Sequence, residues 1–342
     1  MYYDERPPRR RRRSAPPPRE DRWERESLWE DRRPPRRPKK RHGCLFHLVS
    51  LGFKLLFVLA LAVALLYGYP VGLLRNGSSV SASRNLPGGY TNILLLGVDV
   101  DANHTQRSDS IIIASFGGGK VKLTSLLRDT RVNIPGHGEG KLNAAYAYGG
   151  PELLMRTINE AYDMNITQYA AVDYFSFPPI IDAVGGIDIP VTEEELGEVN
   201  RNITQCWEGF QARGYTITPL AAYGDSVHLD GVQALAYARI RKIGYDYART
   251  SRQRTVLNAF LQKAKSQLWN PVRLLHLAQT ALDSLDTNLH SAELLSLGLK
   301  ALFSDGMEQF RLPADGAFTE DGSYLVPDWE ENRNLLKEFI YG

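Results

Sequence analysis

The chain of 342 residues has only two cysteines, Cys44 and Cys206, set in different regions. That excludes a disulfide framework and leaves neither residue with the neighbours of a cysteine-based zinc site. The seven histidines are scattered without metal-ligand spacing, and there is no G-x-S-x-G nucleophile elbow. Zinc chemistry and Ser-His-Asp hydrolysis therefore lose their support. The run Pro135-Gly-His-Gly-Glu-Gly-Lys-Leu142 falls short of a phosphate-binding P-loop, because its glycines are wrongly spaced and Leu142 stands where a Mg²⁺-binding hydroxyl belongs. It reads as a turn. No internal repeat is present. Positive charge is also missing from the globular part: residues 1–43 hold 16 of the 41 Lys+Arg and 8 of the 39 Asp+Glu, leaving 25 against 31 for the rest. A basic globular nucleic-acid binder does not fit that balance, and no nucleic-acid partner is expected.

The first 43 residues, with 14 Arg and 8 Pro, cannot bury enough apolar surface to offset chain entropy and read as a disordered tail. An apolar stretch follows over 44–69, uninterrupted from Leu55 to Tyr69. A bilayer core about 30 Å thick needs about 20 helical residues, so this segment reads as one transmembrane helix, with Lys54 snorkelling to the headgroups. Tyr67-Gly-Tyr-Pro70 lacks the small-x-small pattern of a signal-peptide cleavage site. Lys39, Lys40 and Arg41 directly precede the helix, whereas Arg75 is the first basic residue after it. The positive-inside rule then predicts a single-pass cell-membrane protein with a cytoplasmic N-terminus and an extracellular domain. Residues 70–89 read as a linker and 90–342 as the domain.

Within the domain the pattern is α/β. Ile93–Val98, Ile111–Phe116 and Val121–Leu127 are short, β-branched apolar runs, as buried strands are. The spacing predicts helices over Pro151–Tyr162, Asp230–Tyr237, Thr250–Trp269, Pro271–Leu285, Ser291–Leu302 and Trp329–Ile340. Val172–Ile180, Ile187–Val191 and Ser323–Val326 read as extended.

Polar residues gather at the ends of these elements. Asp99 closes the first strand and Asp109 opens the second, ten residues on, so a loop can bring both carboxylates together. Two carboxylates with open positions suit Mg²⁺, which takes phosphate oxygens and water as its remaining ligands; a turn or cap role is the alternative for each. Arg107 flanks Asp109, Arg128 ends the third strand, and Arg239 and Arg241 alternate around Ile240, sharing a face if that segment is extended. Arg249 and Gln253 share a helix face with Val256 and Phe260. Guanidinium forks suit bidentate phosphate binding. Gln253 has a second reading, as the partner of Thr250 in a capping box.

Asn92-Ile-Leu-Leu-Leu-Gly-Val-Asp99, Arg107-Ser-Asp109, Ser125-Leu-Leu-Arg-Asp-Thr130, Lys141-Leu-Asn-Ala-Ala-Tyr-Ala-Tyr-Gly-Gly150, Leu229–Lys242 and Arg249–Arg254 together resemble the LytR-CpsA-Psr family, in order over about residues 90–268. Leu127 departs from the proline that the family often carries there. The resemblance implies a three-layer α/β/α sandwich around a mixed central sheet. It also implies a phosphotransferase that moves a glycopolymer, such as teichoic acid or capsule, from an undecaprenyl pyrophosphate-linked precursor to a peptidoglycan sugar hydroxyl in cell-wall assembly. By the same resemblance, Asp99 and Asp109 match ligands of Mg²⁺, with Mn²⁺ as a substitute. Arg107, Arg128, Arg239, Arg241, Arg249 and Gln253 match the pyrophosphate clamp. Val256 and Phe260 are expected in the wall of an apolar polyprenyl tunnel or in an ordinary core. A polyprenyl-pyrophosphate hydrolase and a non-catalytic lipid-phosphate binding or signalling protein are the alternatives. The expected partners are the lipid-linked polymer, peptidoglycan and membrane lipid.

Overall fold

The computed structural model describes residues 86–100 and 106–342. The expected tail (1–43), the apolar span (44–69) and residues 70–85 of the linker lie outside them. No helix among the described residues is long and apolar enough to cross a membrane.

In chain order come β1 (Thr91–Val100), β2 (Gln106–Gly117), β3 (Lys120–Leu126), β4 (Arg131–Ile134) and β5 (Gly138–Lys141). Then follow α1 (Leu142–Tyr162), β6 (Gln168–Asp173), α2 (Phe177–Ala183), β7 (Ile187–Val191), α3 (Glu193–Gln211), β8 (Gly224–Leu229) and α4 (Gly231–Ala238). The chain ends with α5 (Tyr245–Ser266), α6 (Pro271–Ser284), β9 (Asp286–Thr287), α7 (Ser291–Leu302), β10 (Met307–Leu312), β11 (Phe318–Asp321), β12 (Tyr324–Pro327) and α8 (Trp329–Tyr341). Six strands form one sheet in the order β10-β3-β2-β1-β6-β9. The pairs β1–β6 and β3–β10 are parallel, while β1–β2, β2–β3 and β6–β9 are antiparallel, so the sheet is mixed.

The central strands are apolar on both faces because both are covered. Leu94, Leu96 and Ile113 point to one side, where α1 and α8 bury them with Leu154, Ile158 and Leu336. Ile93, Ile112 and Leu123 point to the other, against Leu257 of α5 and Leu294 and Leu297 of α7. The sheet therefore lies between two helical layers. A further apolar cluster joins α2, α3, α4, β7 and β8 to α5.

Three local expectations need correction. The segment Val172–Ile180 is extended only as far as Asp173. The Asp173 carboxylate then accepts hydrogen bonds from the backbone N–H groups of Phe175 (2.8 Å) and Ser176 (2.7 Å), turning the chain into α2 with Pro178 in its first turn. Proline there starts a helix rather than interrupting a strand. Helix α1 begins at Leu142, nine residues before Pro151, and kinks at Gly149-Gly150, where Gly150 has φ 62°. Helix α5 begins at Tyr245, so Thr250 lies inside it and cannot form a capping box with Gln253. The glycine-rich run at 135–142 does turn, between β4 and β5.

Candidate active site

The site is built on a fault in the β1–β2 ladder. Ser108 lies opposite Val98 and Ser110 opposite Gly97, leaving Asp109 as the extra residue of a β-bulge. A bulge re-aims the side chain it carries. Here it puts Ser110 on the pleat face of Gly97 and Asp99, while Ser108 stays with Val98 and is fully buried. Gly97 is needed for this approach: a Cβ there would stand 2.9 Å from the Cβ of Ser110. Asp99, at the end of β1, faces Arg107 across the ladder, and Arg107 is exposed.

Arginines from three other places converge on Asp109. Arg128, just past β3, donates from Nη1 to Oδ1 at 2.9 Å. Arg241, in the segment after α4, donates from Nη2 to Oδ2. Arg249, buried in the first turns of α5, donates from Nη2 to the Asp109 carbonyl at 2.8 Å and has Nη1 3.7 Å from Oδ2. Burial pushes the Asp109 pKa up, but Arg128, Arg249 and Arg241 outweigh it and hold the carboxyl below its ordinary value of 3.8. Arg239 serves the other carboxylate, with Nη2 3.4 Å from Asp99 Oδ2. Gln253 accepts a hydrogen bond from the Ser110 hydroxyl at 2.9 Å, which ties α5 to the bulge. Arg239 is the C-cap of α4 in helical conformation, not part of an extended strand, yet it and Arg241 reach the two aspartates while Ile240 is buried between them. Leu127 donates its N–H to the Leu312 carbonyl at 2.8 Å, a bond proline could not make, and Arg128 still reaches Asp109.

Several supporting residues had no role assigned from the sequence. Tyr174 accepts a hydrogen bond from Arg239 Nη1, and its ring lies 4.2 Å from the guanidinium carbon. Asp129 links Arg128 (3.5 Å) to Lys141 (2.6 Å), so two quoted motifs meet there. Arg252, buried on α5, donates to Glu195 at 2.8 Å and to the carbonyl of Ile243 at 3.0 Å, fastening the arginine-bearing segment to α3. Glu195 in turn caps α3 through Thr192. Such side chains serve contacts far apart in sequence, which no local pattern marks. Val256 is buried in the apolar cluster of α4 and β7, and Phe260 packs partly exposed against the same cluster.

With five arginines against two carboxylates, the mouth of the site favours a multiply charged anion. Among the described residues no group of three or more His, Cys, Asp or Glu side chains is placed to hold a metal ion. The donor set, two carboxylates near the adjoining ends of β1 and β2 beside an anion site, suits Mg²⁺, which takes one or two carboxylates and completes its shell with water and phosphate oxygens.

The model of the LytR_cpsA_psr family matches residues 74–340, beginning inside the segment read as a linker. The chain belongs to that family. The polyisoprenyl-teichoic acid–peptidoglycan teichoic acid transferase TagU of Enterococcus faecalis (strain ATCC 700802 / V583) is 35% identical over 257 residues, 72% of this chain and 77% of that protein. Regulatory protein MsrR of Staphylococcus aureus (strain COL) is 28% identical, over 74% of this chain and 75% of its own. Among solved structures, TagT bound to LI-WTA superposes with a TM-score of 0.60 at 26% identity, covering 79% of this chain and 98% of TagT. Five of the six quoted LytR-CpsA-Psr segments meet at Asp99 and Asp109, and the sixth joins them through Lys141 and Asp129.

Proposed function

We propose that this LytR-CpsA-Psr protein is a membrane-anchored phosphotransferase that moves a glycopolymer from an undecaprenyl pyrophosphate-linked precursor to a peptidoglycan sugar hydroxyl. The observation that carries the reading is the convergence of Arg128, Arg241 and Arg249 on Asp109, beside the Arg239–Asp99 pair. That cluster neutralises a pyrophosphate and the charge that grows on the leaving phosphate. The names of relatives such as TagU supply the donor and acceptor classes.

In this reading the acceptor hydroxyl oxygen attacks the polymer-side phosphorus, its proton passes to water, and the bond to the bridging oxygen breaks. A phosphodiester forms and polyprenyl monophosphate leaves. Arg128, Arg249 and Arg241 release Asp109 in part and turn to the phosphates; Arg107 and Arg239 approach from the Asp99 side. Asp99 and Asp109 would hold Mg²⁺, which supplies further neutralisation of phosphate oxygens when bound. Ser110 and Gln253 keep α5 against the bulge.

An apolar slot for the polyprenyl chain is supported by an oddity of burial. Leu95 lies mid-strand in β1, between β2 and β6, yet is only partly buried. Helix α6 carries Leu274, Leu275, Leu277 and Leu282 but buries none of its residues. Leu257 and Phe260 of α5 and Leu294 of α7 are likewise part-covered. Packed interiors leave few voids, so part-covered leucines over the middle of a sheet mark a space to be filled by a chain. Phe260 would form part of that wall, with Val256 packed behind it. The apolar segment 44–69 would anchor the domain outside the cell, near its lipid substrate.

Binding of octaprenyl pyrophosphate tests the clamp. Wild type is expected to prefer it to octaprenyl monophosphate, and Arg239→Lys and Arg241→Lys are each expected to weaken binding at least tenfold despite the retained charge. Lysine variants that bind as wild type would refute the clamp. The hydrolase and pure-binder alternatives predict the same binding but no polymer joined to peptidoglycan.

A further inference from the structure

We infer that the end of the domain carrying Trp269, Val272 and Phe303 docks on the membrane surface. The inference rests on the anchored reading above. Large hydrophobics exposed among the described residues are few, and five of the seven gather here: Leu268, Trp269, Val272, Leu299 and Phe303. Trp269 is 80% exposed, Val272 75% and Phe303 71%. They come from two separate parts of the chain that the structure ties together. Lys265, at the end of α5, donates to the Ser304 carbonyl at 2.8 Å, next to Phe303. Scattered surface apolar residues need no explanation, but large exposed ones drawn from two segments that a hydrogen bond holds together mark an interaction face.

The position of this face identifies its partner. Asp305 donates its N–H to the carbonyl of Gly119 at 2.9 Å, and the Gly117–Gly119 turn packs on Tyr90. Tyr90 directly precedes β1, where the chain enters the domain after residues 70–89. The apolar run 44–69 precedes that entry by the linker alone, so the patch sits at the end of the fold where the chain enters the domain. The opposite end of β1 carries Asp99, and the opposite end of α5 carries Arg249. At about 3.3 Å per strand residue, the nine residues from Tyr90 to Asp99 place the arginine cluster roughly 30 Å from this end.

The chemistry of the patch agrees with a lipid surface. Trp and Phe side chains settle at the headgroup level, and nearby long basic side chains reach the phosphates. Exposed Arg273 adjoins Val272, and exposed Lys300 lies one turn before Phe303. Docked this way, the domain faces its arginine cluster away from the bilayer, with the length of α5 between that cluster and the lipid.

The test uses the full chain reconstituted in phosphatidylglycerol–phosphatidylethanolamine vesicles that carry nitroxide-labelled lipid. Trp269 fluorescence is taken as the difference between wild type and Trp269→Phe. Docking predicts strong quenching by the nitroxide lipid and weak quenching by aqueous iodide. The doubly substituted Trp269→Glu, Phe303→Glu protein should keep its melting temperature and its binding of a detergent-soluble octaprenyl pyrophosphate. Its turnover of substrate held in the vesicles should fall at least fivefold. Trp269 fluorescence quenched by iodide and not by lipid, or a signal set by protein concentration rather than by lipid, would overturn the inference; the second result would assign the face to another copy of the chain. Failure of the full chain to enter vesicles would instead refute the anchor.

Discussion

Asp109 is pulled two ways: burial favours its neutral form, while Arg128, Arg249 and Arg241 favour the carboxylate and prevail. Because the folded pKa lies below the ordinary value of 3.8, this ionisation contributes stability that is complete above about pH 4 and is lost as pH falls through the lower, folded value. Asp109→Asn is therefore expected to lower stability at pH 7 by about 1 to 2 kcal/mol, the scale of a part-buried charge network. It is also expected to abolish Mg²⁺-dependent turnover. Thermal melts of both proteins from pH 7 to pH 3 should converge at the acid end. Melting curves equally separated at every pH would contradict the charge argument, and full turnover in excess chelator would contradict the metal assignment. The arginines were legible in the sequence because they stand at the ends of expected elements, with Arg249 four residues before Gln253. Tyr174 was not, since an aromatic after a strand is as often core as support, and only the fold brings it to Arg239.

Strands β1, β2 and β3 were readable because both faces are covered, which makes their sequences continuously apolar. The bulge at Asp109 was not, because it exists only in the pairing of β2 with β1. Helix α5 was placed five residues late for a related reason: its first turn lies before the apolar stripe begins. Helix α4 offers a sharp test at this scale. A Cβ on Gly231 would lie 2.2 Å from the Pro178 carbonyl oxygen, where α4 packs on α2, and the Gly231 N–H donates to Asp182 at 2.7 Å. Gly231→Ala is expected to cost about 1 to 3 kcal/mol by overpacking and to misplace Arg239 eight residues on. Denaturant unfolding measures the first and octaprenyl pyrophosphate binding the second; an unchanged midpoint would show that the helix pair yields. On α5, Phe260→Trp separates wall from core. A slot wall predicts an unchanged melting temperature with weakened binding of long-chain polyprenyl phosphates only. A packed core predicts a stability loss of about 1 to 3 kcal/mol with all chain lengths affected alike.

For the whole molecule, the fold places its charges and its apolar surfaces at opposite ends of the same elements. Arg249 opens α5 and Lys265 nears its close, so one helix links the arginine cluster to the Trp269 face. Family membership was legible because the quoted motifs carry the residues that gather at the arginine cluster, whereas the packing of Leu257 and of α7 residues with Leu95 depends on contacts that no motif encodes. Transfer, as against hydrolysis or binding alone, is tested by giving the full chain a polyprenyl pyrophosphate-linked glycopolymer together with peptidoglycan and analysing the products by mass. Polymer joined to peptidoglycan through a phosphodiester is expected, with one polyprenyl monophosphate released per link. Polymer phosphate released to water with no peptidoglycan conjugate, or no turnover of a donor that binds tightly, would contradict it.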